Sequence, residues 1–136
     1  MSPQPTGGTF FGEDSYRTIN RPLVCLSGSK DDWKDSEGRI MPAERRLEVF
    51  KLLPPGRKHF FWLENADHMC FSDGPRAVGP FRTEATPDGQ RISRALMVVS
   101  CDFYLKGKEE AAAFLSEDYV NSLCGKVVTK GKLMTK

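Results

Sequence analysis

The sequence of 136 residues lacks any hydrophobic run near the roughly 20 residues that a membrane-spanning helix needs. Its N-terminus has neither the basic start nor the apolar stretch of a signal peptide, so a cytoplasmic protein is the default expectation. Clustered charge is also missing. Although 28% of the residues are charged, the two signs are interspersed and the net charge is +2. We therefore expect no membrane partner and no dedicated nucleic-acid surface.

Closely spaced cysteines are absent as well. The four cysteines, Cys25, Cys70, Cys101 and Cys124, form no CxxC motif, which argues against a zinc site of the usual spacing. We expect neither a metal nor a cofactor. Cys25 and Cys101 lie in apolar runs and are expected to pack as small hydrophobic residues. With no internal repeats and this length, the chain is expected to form one modest domain.

Two short apolar runs stand out in what the sequence does contain. Residues 22–27 are continuously apolar and residues 59–63 are a second apolar, bulky run, which predicts strands at 22–27 and 58–63 in a sheet that is covered on both faces. Between them, residues 42–53 have helical periodicity, and the Pro-Pro-Gly at 54–56 ends that helix. A strand, a helix and a strand in this order form a βαβ unit with parallel strands. The expected fold class is therefore α/β.

The chain ends are predicted from composition. Residues 1–14 are rich in Gly, Pro and Thr and predict a flexible lead-in. Residues 126–136 contain four lysines and no acidic residue, and they predict a solvated, frayed basic tail. The folded part is expected to span residues 15–125.

The segment after the second strand is predicted to begin with a long loop and to end in helices. Residues 72–89 are rich in Gly and Pro and predict a functional or mobile loop. From Gln90 the apolar residues recur every three or four positions, which predicts a helix that covers the sheet and ends at Gly107. Shorter helical segments are expected at 111–115 and 119–123.

Each predicted strand is followed by side chains suited to acid–base chemistry. The loop after the first strand carries Asp31 and Asp32, and the turn after the second delivers His68. The carboxyl ends of neighbouring parallel strands meet at one edge of a sheet, where α/β enzymes place catalytic groups. An Asp followed by a His in this chain order matches the last two members of a Ser-Asp-His triad.

Four motifs extend this pattern over nearly the whole chain, from about residue 15 to the end. They are P-L-V-C-L-S-G-S-K-D, R-R-L-x-x-F-x-x-L-P-P-G-x-K, F-F-W-L-x-x-A-D-H-M-x-F-S-D and I-S-x-A-L-x-x-x-S-x-x-F-Y-L-K-G. In combination they resemble the C-terminal part of bacterial α/β-hydrolases. The nearest group is the dienelactone-hydrolase-like and acetylhydrolase-like carboxylic ester hydrolases. The implied fold is the C-terminal portion of that sheet, with about two parallel strands and covering C-terminal helices.

The resemblance implies roles for individual residues. Asp31 occupies the family's G-[ST]-x-D position and would be the triad acid, with Asp32 as the alternative. His68 occupies the A-D-H position and would be the base in hydrolysis of a small-molecule ester through an acyl-enzyme. The family's G-x-S-x-G nucleophile elbow and oxyanion-hole loop are missing. Ser27 and Ser29 lie in an S-G-S sequence within the acid-bearing loop, so no nucleophile is found.

The chain is accordingly expected to supply the Asp and His of a triad and to be inactive on its own. One interpretation is half of a split hydrolase that pairs with an N-terminal half. Another is a non-catalytic interaction module that uses the edge of strand 22–27 to bind another chain or a second copy.

Several neighbouring side chains have a functional and a simpler interpretation. Trp33, beside the predicted acid, is the candidate for lining a substrate pocket, whereas Trp62 is expected in the core. Asp67 precedes His68 directly and is expected to have a local role. Cys70 is a weak candidate for a thiol nucleophile and is expected to pack in the loop.

Three further interpretations complete the set. His68, Asp67 and Cys70 together could form a metal site, although this is the weakest alternative. Arg45 and Arg46 could bind an acidic substrate, but a solvated helix face is expected. His59 is expected on the outside of its strand, without a partner.

Overall fold

A computed structural model describes residues 12–35, 37–71, 76–78, 81–83 and 86–136. Within these ranges the α-helices are α1 (Asp14–Arg17), α2 (Arg45–Leu52), α3 (Pro87–Tyr104) and α4 (Glu117–Leu123). Two 3-10 helices span His68–Phe71 and Glu109–Phe114. The strands are β1 (Leu23–Gly28), β2 (Trp33–Lys34), β3 (Ile40–Met41), β4 (Lys58–Leu63), β5 (Arg76–Val78), β6 (Phe81–Thr83) and β7 (Gly131–Thr135).

The central sheet has three strands in the order β1-β4-β7. β1 and β4 are parallel, and their register runs from Leu23 opposite Lys58 to Gly28 opposite Leu63. The predicted βαβ unit is therefore confirmed. β7 pairs antiparallel with the other side of β4, so the fold is a mixed α/β arrangement around a small mixed sheet.

The side chains of β4 alternate between two hydrophobic clusters, one on each face of the sheet. Phe61 and Leu63 pack with residues of α3 and α4, whereas Phe60 packs with Val49 and Phe50 of α2. Successive strand residues point to opposite faces, so a continuously apolar strand serves both clusters. Each buried side chain of this size stabilises the fold by about 1.5 to 3 kcal/mol relative to exposure to water.

The prediction of a frayed tail at residues 126–136 is wrong. Gly131–Thr135 forms β7, and Val128 is fully buried in the cluster with α3 and α4. Leu133 packs on that cluster, and Met134 packs on the cluster with α2. The segment is rich in lysine and has few apolar side chains, so its sequence did not indicate a strand.

Other boundaries differ from the predictions. Within the expected loop 72–89, β5 and β6 pair antiparallel, and residues 72–75, 79–80 and 84–85 lie outside the described residues. α3 begins at Pro87, with proline in the first turn where its missing N–H costs little. α3 ends at Tyr104, before Gly107, whose φ is +68°. α2 begins at Arg45, after a turn that starts at Pro42. The two terminal helical segments are present as the second 3-10 helix and α4.

The predicted lead-in, residues 1–14, lies mostly outside the described residues, and α1 begins at its last position. None of the helices in the described ranges is both long and apolar enough to cross a membrane.

Candidate active site

The structure brings Asp31 and His68 together. Asp31 lies just beyond the end of β1, and His68 begins the 3-10 helix that follows β4. Asp31 Oδ1 is 3.1 Å from His68 Nδ1. The Asp31 side chain is fully buried, whereas the His68 side chain is 51% exposed. A buried acid thus contacts one ring nitrogen of an imidazole that remains accessible.

Hydrogen bonds between the two strand-exit loops hold this pair in place. The backbone N–H of Ser29 donates to Leu63 O, and that of Lys30 donates to Ala66 O, both at a distance of 3.0 Å. The Ser29 hydroxyl accepts from Asn65 N at 2.8 Å and lies 3.2 Å from Glu64 Oε1, to which it donates. The loop that carries the acid is therefore fixed to the loop that carries the histidine.

Gly28 is required for this close approach of the loops. A Cβ atom at Gly28 would collide with the backbone oxygen and side chain of Ala66, and with Leu63 O. The glycine of the S-G-S sequence therefore allows the end of β1 to lie directly against the turn that leads to His68.

Three side chains surround the Asp31 carboxylate. Ser27 Oγ donates to Oδ2 at 2.8 Å, and Arg46 Nη2 lies 2.9 Å from Oδ1, the same oxygen that faces His68. Arg46 Nε also donates to the backbone oxygen of Asp31 at 2.9 Å. Burial lowers the pKa of the Arg46 guanidinium, and the negative charge of Asp31 opposes that change.

The prediction of a solvated face is wrong for Arg46, whose side chain is 3% exposed. Arg45 remains partly exposed and pairs with Glu48 at 3.5 Å. Sequence reasoning missed Arg46 although a signal was available. The buried residues Arg46, Val49, Phe50 and Leu53 are spaced as i, i+3, i+4 and i+7, which is the buried stripe of a helix.

Asp32 and Trp33 occupy different places from Asp31. Asp32 Oδ1 accepts a hydrogen bond of 2.9 Å from Ala43 N, in the turn before α2. The Trp33 ring covers the guanidinium of Arg46, whose Cζ is 5.0 Å from the ring centroid. Asp32 thus fixes the approach to α2, and Trp33 contacts the acid's partner.

Asp67 and Cys70 have packing roles. Asp67 Oδ1 accepts a hydrogen bond from Met69 N at 2.9 Å, the local role that was expected. Cys70 is buried in the hydrophobic cluster, and burial raises the pKa of its thiol to about 11. The thiol is therefore protonated at neutral pH and poorly suited to nucleophilic attack. Among the described residues, no group of three or more His, Cys, Asp or Glu could hold a metal ion.

Neither serine of the S-G-S sequence contacts the imidazole. The Ser27 hydroxyl donates to Asp31, and the Ser29 hydroxyl joins the two loops through Glu64 and Asn65. Within the described part of the chain, the hydrogen bond of the His68 ring is to Asp31 through Nδ1. Among the described residues, Asp31 and His68 therefore form an acid–base pair whose imidazole has no hydrogen bond to a serine.

His59 and Trp62 are part of the packing of β4. His59 Nδ1 lies 3.2 Å from Tyr104 Oη, a partner that the sequence did not suggest. Burial lowers the pKa of His59. Trp62 is half-buried and stacks on Phe60, with 6.5 Å between the ring centroids. His59 lies at the start of β4, at the opposite end of the strand from His68.

A separate apolar groove of about 670 Å³ lies between β1 and the C-terminal part of α3. Its lining includes Leu23, Leu26, Leu96, Met97 and Leu105, and neither Asp31 nor His68 contributes to it. The groove is therefore distinct from the Asp31–His68 pair.

Comparisons of the chain with protein-family models, with curated proteins and with solved structures found no match in any of the three. The α/β-hydrolase resemblance rests on the sequence motifs.

Proposed function

We propose that this chain provides the acid–base half of a carboxylic ester hydrolase of the Ser-His-Asp type, on the C-terminal portion of an α/β-hydrolase sheet. The single observation that carries the proposal is the contact of 3.1 Å between buried Asp31 Oδ1 and Nδ1 of the half-exposed His68. These residues follow adjacent parallel strands, in the chain order of an α/β-hydrolase triad.

In the proposed reaction, His68 is the general base and Asp31 orients it. The contact with Nδ1 fixes the ring so that Nε2 accepts the proton of an attacking serine hydroxyl. The serine oxygen bonds to the acyl carbon of the ester, and the bond to the alcohol oxygen breaks as His68 returns the proton to the leaving alcohol. Asp31 stabilises the imidazolium that exists between these two transfers.

The proposal assigns the nucleophile and the oxyanion hole to residues outside these 136, on a preceding part of the same chain or on a second chain. Among the described residues, this is supported by the use of the Ser27 and Ser29 hydroxyls within the loops and by the burial that raises the pKa of the Cys70 thiol. The substrate would be a small ester. Its acyl and alcohol groups would be selected largely by the part that carries the nucleophile.

A fluorophosphonate probe, which reacts with activated serines, tests the first half of the proposal. The purified chain is incubated with the probe and then examined by intact mass and peptide mapping. We expect no adduct. An adduct on Ser27 or Ser29 that disappears in the His68→Ala variant would overturn the assignment of the nucleophile to outside residues.

Complementation tests the second half. The chain is expressed together with the nucleophile-bearing portion of an acetylhydrolase-like esterase, either as a separate chain or fused ahead of residue 12. We expect the supplied serine to become labelled, and His68→Ala to abolish the labelling. His59→Ala is the matched control, since His59 and His68 are the two histidines of the chain. Labelling that is equal in the His68→Ala variant would contradict the proposal.

A second candidate is an interaction module without catalysis. The observation that favours it is the exposed apolar surface of α3 beside the groove, where Met97 is 67% and Leu105 is 80% exposed. Apolar surface of this kind marks many association sites. Sedimentation over a range of concentrations tests it. Self-association that Met97→Glu abolishes would support the module, and a monomer at every concentration would count against self-association.

A further inference from the structure

Arg46 and His68 contact the same oxygen of Asp31. Arg46 Nη2 lies 2.9 Å from Oδ1, and His68 Nδ1 lies 3.1 Å from it. A guanidinium is positively charged at all ordinary pH values. Asp31 therefore has a permanent cation at Oδ1, the same oxygen through which it contacts His68.

The cation is held rigidly. Its Nε donates to the backbone oxygen of Asp31, its Nη2 contacts the carboxylate, and the Trp33 ring covers its face. These contacts fix the carboxylate with respect to its own backbone. They also place the positive charge in a buried site, where charges interact more strongly than in water.

Two consequences follow from elementary electrostatics. A nearby cation favours the ionised form of a buried carboxyl group, which would otherwise resist losing its proton. The same cation reduces the net negative charge that faces the imidazole of His68.

We propose, on the basis of the function proposed above, that Arg46 is a positioning residue that aims the Asp31 carboxylate at His68 and places a positive charge at the oxygen that faces the imidazole. Arg46 acts through Asp31 and does not touch the substrate.

In the part of the chain that the structure describes, charged groups on the neighbouring elements have contacts of their own. Asp67, on the approach to the same 3-10 helix, accepts from Met69 N, and Asp32 accepts from Ala43 N. On α3, which packs against this 3-10 helix, Asp88 and Arg91 contact each other at 3.3 Å. Arg46 is distinguished from these groups by its direct contact with the oxygen that faces His68.

The experiment is an NMR titration of the His68 ring in the purified chain, which has two histidines. Arg46→Met removes the charge, and Arg46→Gln removes it while keeping a hydrogen-bond donor. We expect both variants to bind the second proton about tenfold more tightly than the wild type, which moves the midpoint up by about one pH unit. Arg45→Met, which removes the same charge one residue earlier, is the matched control and should leave the midpoint within about 0.3 units.

A second pair of variants covers the case in which a lone buried Asp31 prevents folding. Asp31→Asn is compared with the double variant Asp31→Asn, Arg46→Gln, in which both partners are neutral. We expect the midpoint of the single variant to be lower, because its cation faces the histidine without a compensating anion. Folded variants that titrate like their parents in both comparisons would overturn the inference and leave Arg46 with a structural role.

This readout is independent of ester hydrolysis. A shifted titration together with failed complementation would retain the effect of Arg46 and reject the proposed function. An unshifted titration together with successful complementation would reject the effect of Arg46 and retain the function.

Discussion

Ser27 Oγ donates a hydrogen bond of 2.8 Å to Asp31 Oδ2, and both side chains are fully buried. The hydroxyl lies on β1, four residues before the carboxylate that it binds. It binds Oδ2, whereas Arg46 Nη2 and His68 Nδ1 contact Oδ1. Ser27 therefore contributes to the orientation of the acid and is not placed as an attacking group.

We expect Ser27→Ala to lower the free energy of unfolding by about 1.5 to 3 kcal/mol, the usual range for a hydrogen bond to a charged group. Urea denaturation measures this change. The control is Ser122→Ala, whose exposed hydroxyl donates to Tyr119 O of its own helix, and it should change the value by less than about 0.5 kcal/mol. Equal stabilities for the two variants would mean that Ser27 does not support Asp31.

Gly28→Ala tests the close approach of the two strand-exit loops. The new methyl group would collide with Ala66, so we expect a loss of about 1 to 3 kcal/mol, as for other overpacked sites. Hydrogen exchange should also accelerate at the amides of Lys30 and Asn65, which bond across the loops. Gly12→Ala is the matched control because a Cβ there meets nothing within 4 Å. Unchanged exchange in Gly28→Ala would contradict the proposed tightness of the contact.

The parts of the fold that were predicted correctly have strong local signals. β1 and β4 each contain four apolar residues in a row, at 23–26 and 60–63, and most of α3 has clear helical periodicity. The approach of Asp31 to His68 followed from the geometry of parallel strands, which place their carboxyl ends together.

The features that were missed depend on contacts distant in sequence. β7 has little apolar character of its own and is fixed by pairing with β4. Arg46 is an arginine on the buried stripe of α2, and what makes its burial possible is a carboxylate 15 residues earlier in the chain. A charged residue usually indicates an exposed face of a helix, so the burial of Arg46 can be predicted only once its partner is known.

Two neighbouring valines test whether residues 126–136 belong to the fold. Val128 is fully buried in the main cluster, whereas Val127 is 40% exposed. We expect Val128→Ala to reduce the free energy of unfolding by about 1.5 to 3 kcal/mol, and Val127→Ala by less than about 0.7 kcal/mol. Thermal or urea unfolding gives both values. Two equally small effects would restore the frayed-tail interpretation.

The four cysteines are free and differ in burial, which predicts an order of reaction with thiol reagents. Burial raises the pKa of Cys25 and of Cys70 to about 11, compared with an ordinary value of 9.0. Because the thiolate is the reacting form, a rise of two units reduces it about 100-fold at a given pH. Cys101 is only partly buried and therefore more accessible, so we expect it to react with iodoacetamide at pH 8 faster than Cys25 or Cys70.

Peptide mapping over a time course measures these rates, and the chain in concentrated guanidinium chloride, where all four thiols should react alike, is the control. The raised pKa of Cys70 also sets the direction of the pH dependence. The rate of alkylation of Cys70 in the folded chain should rise about tenfold per pH unit until the pH approaches 11. Rapid alkylation of Cys70 at neutral pH would contradict its assignment to packing, since a thiolate two residues after His68 would then be a nucleophile within the chain itself.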